Sequence, residues 1–495
     1  MIYVWLEGYD FKYEIHETLR IFFSEKEITY IEKLDKEPSF DIEGAFLVCS
    51  VTDCQGSLIL EIKLSDGEYV NSKRVSIGDV PEGDKRLEKL RTARKRVKRE
   101  VYIVLADYTG KSMPWGVLTG VRPVKIAMEM LERGIERQEA LSELREHYLI
   151  SKEKAELILD IAHREREILK KTDSDTISLY IGIPFCPSRC LYCSFTSYSI
   201  SGYRHLTESY LQALRSELNA VNDIIKEKAF RIQNIYIGGG TPTSLDAALL
   251  RELLDFIENN FDLDSLEEFT LEAGRPDSID LEKLKVIKDS RVNRISINPQ
   301  TMNDSVLETI GRKHTASEVI QAFNLARELG FENINMDIIA GLPGESTEMF
   351  ENSLKEISLL NPESLTVHTM AVKRASRLKE SMEKYSFTDE SDVSKMVKMA
   401  QEYALAMGMH PYYLYRQKDM LGKLENIGYC RPGFESIYNI QIMEEKQTII
   451  AAGADAVTKV VYPEENRIER AFNVKDVEEY IRRVDEMVER KRALL

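Results

Sequence analysis

Long apolar runs are missing from this 495-residue sequence; none approaches the length of a membrane span. The first ten residues, Met1 to Asp10, carry neither a basic opening stretch nor a long apolar core, so no secretory signal is expected. Positive charge is in deficit: 67 Lys and Arg stand against 83 Asp and Glu, a net charge of -16. That balance argues against general binding to nucleic acid or to an acidic membrane. Cysteine is sparse, with six in the chain, and three of those fall in one loop. Such usage belongs to a reducing compartment and not to a disulfide framework, so the expected location is cytoplasmic. Internal repeats and low-complexity segments are also lacking.

What is present suffices for two to four domains. Residues 1–110 read as a mixed α/β domain, with β-rich runs at Phe46–Val51 and Ser57–Leu64 and a hairpin signal at Ser65-Asp-Gly. A strongly basic helix is expected from Asp84 to Val101, with Leu87, Leu90, Ala93 and Val97 facing inward. Its cations are either a solvated face or a surface for an anionic substrate or an acidic partner domain. Residues 111–175 read as a helical linker region. Within 176–385 six apolar strands alternate with amphipathic helices: 178–183, 234–237, 268–272, 294–298, 333–339 and 364–370. Six β/α units imply a parallel sheet, doubly wound or a complete or partial barrel, whose chemistry sits at the C-terminal strand ends. The remaining residues, 386–495, form an α+β extension expected to cover the substrate, closing in a charged helix from Lys475 that is most simply exposed and amphipathic.

The cysteine loop follows the first of these strands, and Cys186, Cys190 and Cys193 are spaced C-x3-C-x2-C. Three thiolates on one short loop suit three irons of a [4Fe–4S] cube and leave the fourth iron open. A zinc knuckle or a disulfide pair is the alternative, although zinc wants a fourth nearby ligand and no His or Cys follows for many residues. Cys49, Cys54 and Cys430 are expected to be small buried hydrophobes.

Unusual residues recur at the later strand ends. Gly238, Gly239 and Gly240 allow close backbone approach to a ligand. Glu272 ends the third strand and Gln300 follows the fourth. Arg312 lies in the next segment, and Asp337 is a carboxylate inside an apolar strand, costly to bury unless partnered. A sulfonium amino acid carrying a ribose needs acceptors for its ammonium and hydroxyls, a cation for its carboxylate and a surface for adenine. This set supplies them, and Tyr192 adds an aromatic face beside the cysteines. Past the sixth strand, Lys373, Arg374, Arg416 and Lys418 are either surface charge or cations for an anionic substrate. His368 is either a site residue or a satisfied core histidine.

Together the cysteine loop, Gly238-Gly-Gly-Thr-Pro-Thr, Asn293-Arg-Ile-Ser-Ile, Gly311-Arg-Lys-His and Asp337-Ile-Ile-Ala-Gly-Leu-Pro-Gly resemble the radical S-adenosylmethionine (SAM) superfamily. Within it they resemble the branch of oxygen-independent coproporphyrinogen III oxidases. The outer regions look most like the long anaerobic coproporphyrinogen dehydrogenases of Gram-positive bacteria. The resemblance implies an α/β fold with a partial (β/α)6 TIM-like barrel, a [4Fe–4S] cluster on Cys186, Cys190 and Cys193, and one or two SAM molecules. It places Tyr180, Tyr192, Gly239, Gly240, Thr241, Glu272, Gln300, Arg312, Asp337 and Ala371 around SAM, with no catalytic side chain beyond the cluster and SAM. The implied reaction turns coproporphyrinogen III propionates into vinyl groups, giving protoporphyrinogen IX with an electron donor such as flavodoxin or ferredoxin. Ser194-Phe195 stands where the oxidases continue with a further cysteine, and looks more like the family's haem chaperones. Asn298-Pro299 stands where a Gly-Val type pair is usual. Haem binding without turnover, or radical chemistry on another tetrapyrrole (haem ring opening or methyl transfer), are the alternatives.

Overall fold

In the computed structural model, which describes residues 1–31, 44–81, 85–195, 197–373, 376–380, 382–417, 420–465 and 467–495, the chain forms two units. One comprises Met1–Gly120 and Glu129–Leu159, the other Val121–Met128 and Asp160–Leu495.

The first unit is built on β1 (Ile2–Gly8), β2 (Ile28–Tyr30), β3 (Ala45–Cys54), β4 (Ser57–Ser65) and β5 (Val70–Asp79), in the order β2-β1-β3-β4-β5. Short turns make β3, β4 and β5 an antiparallel meander, while β1 runs parallel to β2 and β3. Alternation puts Leu58, Leu60, Ile62 and Leu64 into one core with Ile15 and Leu19 of the helix Lys12–Phe22 and Ala93, Val97 and Val101 of the helix Arg86–Thr109. The basic helix therefore runs further than its charge pattern indicates, and its expected start at Asp84 lies outside the described residues. Leu87 does not face inward but is 72% exposed, because it sits in the first turn, ahead of the stripe that meets the sheet. Several of the cations are paired within the unit: Arg94 with Glu14 at 3.1 Å, and Arg99 donating to the Glu146 carbonyl at 3.1 Å. Cys49 is buried as expected, but Cys54 is exposed, being carried out by the β3–β4 hairpin.

In the second unit the largely buried strands form a parallel array. They are β6 (Thr176–Ile183), followed by the two-residue strands β7 (Phe185–Cys186) and β8 (Tyr198–Ser199), then β9 (Arg231–Gly239), β10 (Glu268–Gly274), β11 (Arg294–Ile297), β12 (Ile334–Ala340) and β13 (Ser364–Thr369). Strands β6, β9, β10, β11, β12 and β13 are neighbours in that order, each pair parallel. The connecting helices start where side-chain oxygens cap them. Asp246 accepts from Leu249 N, Asp280 from Lys283 N, Ser346 from Met349 N, and Thr315 with Glu318 forms a reciprocal box; each cap contributes about 1 kcal/mol. This is the partial barrel expected of six β/α units.

The last hundred residues extend that same sheet at both ends. β14 (His410–Tyr415) and β15 (Asn426–Cys430) add antiparallel strands beyond β13. β16 (Thr448–Ala452) pairs in parallel with β6, and β17 (Val457–Tyr462) and β18 (Arg467–Phe472) follow it. The closing helices Val477–Arg482 and Val484–Arg492 are not simply exposed. Lys491 is fully buried, 2.5 Å from Glu217 on the helix Thr207–Glu227 and 2.7 Å from Asn473. Glu217 also accepts from Tyr480 Oη at 2.5 Å and from Gly453 N at 2.8 Å. A buried cation needs this saturation, since isolated burial costs several kcal/mol.

Candidate functional site

The cysteine loop begins where β6 ends and is closed by the β7–β8 pairing. Backbone bonds pin it from several sides: Leu191 N to Ile310 O at 2.9 Å, Leu378 N to Leu191 O at 3.0 Å and Tyr198 N to Pro184 O at 2.8 Å. All three cysteines are free thiols on one cavity of about 700 Å³ at the C-terminal strand ends. The disulfide alternative therefore fails. Among the described residues no three His, Cys, Asp or Glu side chains converge on a point where one metal ion would bind. Three thiols on one cavity fit a polynuclear cluster in which each of three irons takes its own thiolate. Burial pushes the Cys186 thiol up to about 12, so a thiolate there requires a cationic partner such as iron.

The glycine triplet closes over the loop from β9. Gly240 N donates to Ile183 O and Thr241 N to Phe185 O, both at 2.7 Å, and Thr241 Oγ1 donates to Cys186 Sγ at 3.5 Å. A Cβ on Gly240 would lie 2.6 Å from Phe185 O, too close for any other residue without movement. Gly239, with φ of 104°, also lines the cavity. Gly238 backs the wall, its Cβ position 3.1 Å from the Glu272 carboxyl carbon.

Glu272, near the end of β10, accepts from Tyr236 Oη, and burial raises its carboxyl to about 7. Asp337 on β12 accepts from Asn335 Nδ2 at 2.7 Å and faces His368 Nε2 at 3.7 Å. Burial pushes Asp337 up, yet His368, Asn335 and Thr366 more than offset this and hold it below the usual carboxylate range. Arg312 donates to Asn298 O at 2.5 Å and to Tyr192 Oη at 3.3 Å. Gln300 has φ of 70°, an uncommon backbone for its type, held by Gln300 N to Asp337 O at 2.9 Å and Ile339 N to Gln300 O at 3.0 Å. Buried Gln300 Oε1 and Arg312 Nε find no hydrogen-bond partner among the described residues. Orphaned polar atoms on a cavity wall are suited to a polar ligand.

The structure thus brings Tyr180, Tyr192, Gly239, Gly240, Thr241, Glu272, Gln300, Arg312, Asp337 and Ala371 to the cavity that holds the three cysteines. Lys373 joins them, its ammonium 5.3 Å from the Phe195 ring centroid and lowered in pKa by burial. His368 is a cavity residue and not a core histidine. Arg416 is not on that wall; its guanidinium donates to Lys423 O at 3.0 Å. Arg374 and Lys418 lie outside the described residues.

Sequence reasoning named Tyr180 but missed the rest of the aromatic wall. Tyr236 and Tyr438 stack with centroids 4.4 Å apart, and Tyr180 lies 6.0 Å from Tyr438. The period-2 placement of Tyr236 and Gly238 on β9 was the available signal for Tyr236; for Tyr438, far along the chain, there was none. It also missed Arg275 and Asp455, which line the same cavity.

Comparison with known proteins gives four likenesses. The sequence pattern of the radical SAM superfamily matches residues 180–357. The chain is 42% identical over 404 residues to "Oxygen-independent coproporphyrinogen-III oxidase-like protein HemZ" of Bacillus subtilis, covering 80% of this chain and 81% of that one. It is 35% identical over 273 residues to "Heme chaperone HemW" of the same organism, covering 54% and 68%. In fold it is similar to the coproporphyrinogen III oxidase HemN from Escherichia coli, a radical SAM enzyme, with a TM-score of 0.52 and 22% identity, covering 65% of this chain and 72% of that chain.

Proposed function

Because the chain belongs to the radical SAM superfamily, in the branch of the oxygen-independent coproporphyrinogen III oxidases and their relatives, we propose that it catalyses the oxidative decarboxylation of coproporphyrinogen III propionates to vinyl groups. The family's resident groups are a [4Fe–4S] cluster and SAM. When bound, they supply a 5′-deoxyadenosyl radical through reductive cleavage of the sulfonium.

The observation that carries the reading is one cavity: it holds all three thiols of the cysteine loop together with Glu272, Gln300, Arg312 and Asp337 from later strands. Cys186, Cys190 and Cys193 hold three irons. Glu272, with Tyr236 behind it, accepts from the ammonium of SAM. Arg312 faces its carboxylate, and Asp337 with Gln300 accepts from the ribose hydroxyls. Tyr180, Tyr192 and the Gly239–Gly240 backbone border SAM, and Thr241 and Ala371 complete that wall. Lys373 is a cavity cation for a propionate carboxylate. The surrounding strands exclude water, and a cytoplasmic flavodoxin or ferredoxin is the class of electron donor.

A second reading is a haem-binding chaperone. Phe195, in the position after Ser194 where no fourth cysteine follows, is 62% exposed at the cavity mouth and favours it. Length favours the oxidase reading, since the oxidase-like relative matches over four fifths of this chain and the haem chaperone over 54%.

The test is anaerobic incubation of cluster-loaded protein with SAM, a reductant and coproporphyrinogen III. Protoporphyrinogen IX with two CO2 per substrate is expected. Tight haem binding with no porphyrinogen turnover would overturn the oxidase reading. Turnover of a different tetrapyrrole instead would reassign the substrate. Cys190→Ala is expected to abolish both iron binding and SAM cleavage.

A further inference from the structure

Strand β10 loses register against β11 between Glu272 and Gly274, and Gly274 takes a φ of 68°. This bulge re-aims the chain, and the next residue, Arg275, turns back under the cysteine loop. Arg275 is only 3% exposed. A guanidinium so deeply buried costs several kcal/mol unless its donors are used, and here they are divided between two tasks. Nε and Nη2 fork onto Asp277, at 2.9 Å to Oδ1 and 2.7 Å to Oδ2. Nη1 donates to Ser188 O and Ser188 Oγ, both at 2.9 Å, and points at Cys190 Sγ from 3.6 Å. The ring of His314, fully buried, stands 3.7 Å from Asp277 Oδ1 and fixes the other side of the fork.

We propose that Arg275 is a positioning residue that sets the reduction potential of the cluster held by the cysteine loop. The argument rests on the reading that Cys186, Cys190 and Cys193 hold that cluster. Adding one electron to a cluster increases the negative charge on its sulfurs. A fixed N–H donor and a positive charge beside a ligating sulfur stabilise the reduced form more than the oxidised one. Asp277 takes the fork of the guanidinium and leaves Nη1 aimed at the loop, so the donor is locked in direction. Removing it makes the cluster harder to reduce while all three thiolate ligands remain.

The experiment uses the full chain, cluster-loaded under anaerobic conditions, as parent and as Arg275→Gln, Arg275→Lys and Cys190→Ala. Iron and sulfide per chain are measured first. Midpoint potentials then come from a titration with a chemical reductant, followed by electron paramagnetic resonance. Arg275→Gln is expected to retain the cluster and to lower its midpoint by about 59 mV, a tenfold change in the one-electron equilibrium. Arg275→Lys, which keeps the charge but not the fork, is expected to fall between it and the parent. An unchanged midpoint in Arg275→Gln overturns the proposal. So does loss of iron in both Arg275 variants with the residual cluster at the parental midpoint, because Arg275 is then only a clamp. A parent chain that takes up no iron, or a Cys190→Ala chain that takes up as much as the parent, sinks the cluster reading itself and is seen without either Arg275 variant.

Discussion

His368 on β13 faces Asp337 on the neighbouring strand β12, Nε2 to Oδ2 at 3.7 Å, while its Nδ1 meets Tyr415 Oη at 3.3 Å. Three elements, the last of them from the C-terminal extension, thereby converge on one carboxylate. Burial alone would raise Asp337, and His368 is the largest influence holding it down. A carboxyl with a depressed pKa keeps its charge above the ordinary value near 4 and loses it only as pH falls through the lower one. His368→Leu removes that support. SAM affinity, measured by anaerobic equilibrium dialysis of the cluster-loaded protein, is expected to fall about tenfold, with the deficit growing as pH falls from 7.5 to 6. Affinity equal to the parent's at both pH values would remove His368 from the site.

Glu272 behaves in the opposite sense. Its carboxyl is raised to about 7, first by burial. The folded chain thus holds a proton that the unfolded chain gives up near 4.5, and the stability this contributes is fully present below 4.5 and lost as pH rises through about 7. An ammonium ligand needs the carboxylate, so binding releases the proton. SAM affinity is expected to rise about tenfold per pH unit on approaching 7 and to level off above it. In Glu272→Gln the affinity is expected to be weak and flat in pH over the same range; a slope surviving in that variant would assign the titration elsewhere.

Gly240→Ala is expected to destabilise the chain by about 1–3 kcal/mol, the usual cost of overpacking. Its Cβ would lie 2.6 Å from Phe185 O and 2.9 Å from Ile183 O, both of them rigid backbone. The displaced atoms precede Cys186 directly, so iron content per chain after reconstitution is expected to drop with stability. Urea unfolding and iron analysis on the same preparation check both effects, and wild-type values for both would refute the close approach.

Lys491→Ala strands Glu217 in a buried pocket, at an expected cost of about 3–5 kcal/mol. The double variant Lys491→Met with Glu217→Leu is expected to lose markedly less, because neither charge is then left alone. Denaturation of both chains in urea measures the difference; a double variant as unstable as the single one would mean that packing and not charge sets the loss.

The barrel was legible because its strands are buried on both faces and bounded by caps such as Asp246, Asp280 and Thr315, so apolar run and stop signal coincide. Glu272 and Asp337 were legible as carboxylates in apolar strands. Arg275 was not, since the signal for it is a bulge, a pairing event that one strand's sequence does not encode. β16 was hidden for a related reason: nothing in the pattern of Thr448–Ala452 says that it joins β6, far away in the chain. Tyr438 entered through the same remote segment. The charged closing helix was misread as simply exposed because a helical charge pattern cannot tell solvent from a buried partner on another helix, such as Glu217 for Lys491. Cys54 was misread because the general burial of cysteine says nothing of a hairpin tip.

The partnership of β6 with β16 also orders events in time. A ribosome completes β6 and the cysteine loop more than 250 residues before it reaches β16, an interval of roughly 10–50 s at about 5–20 residues per second. Through that interval one edge of β6 has no neighbour, and the cavity wall formed by Ala454, Asp455, Ala456 and Val457 does not yet exist. The three thiols are therefore made early and enclosed late.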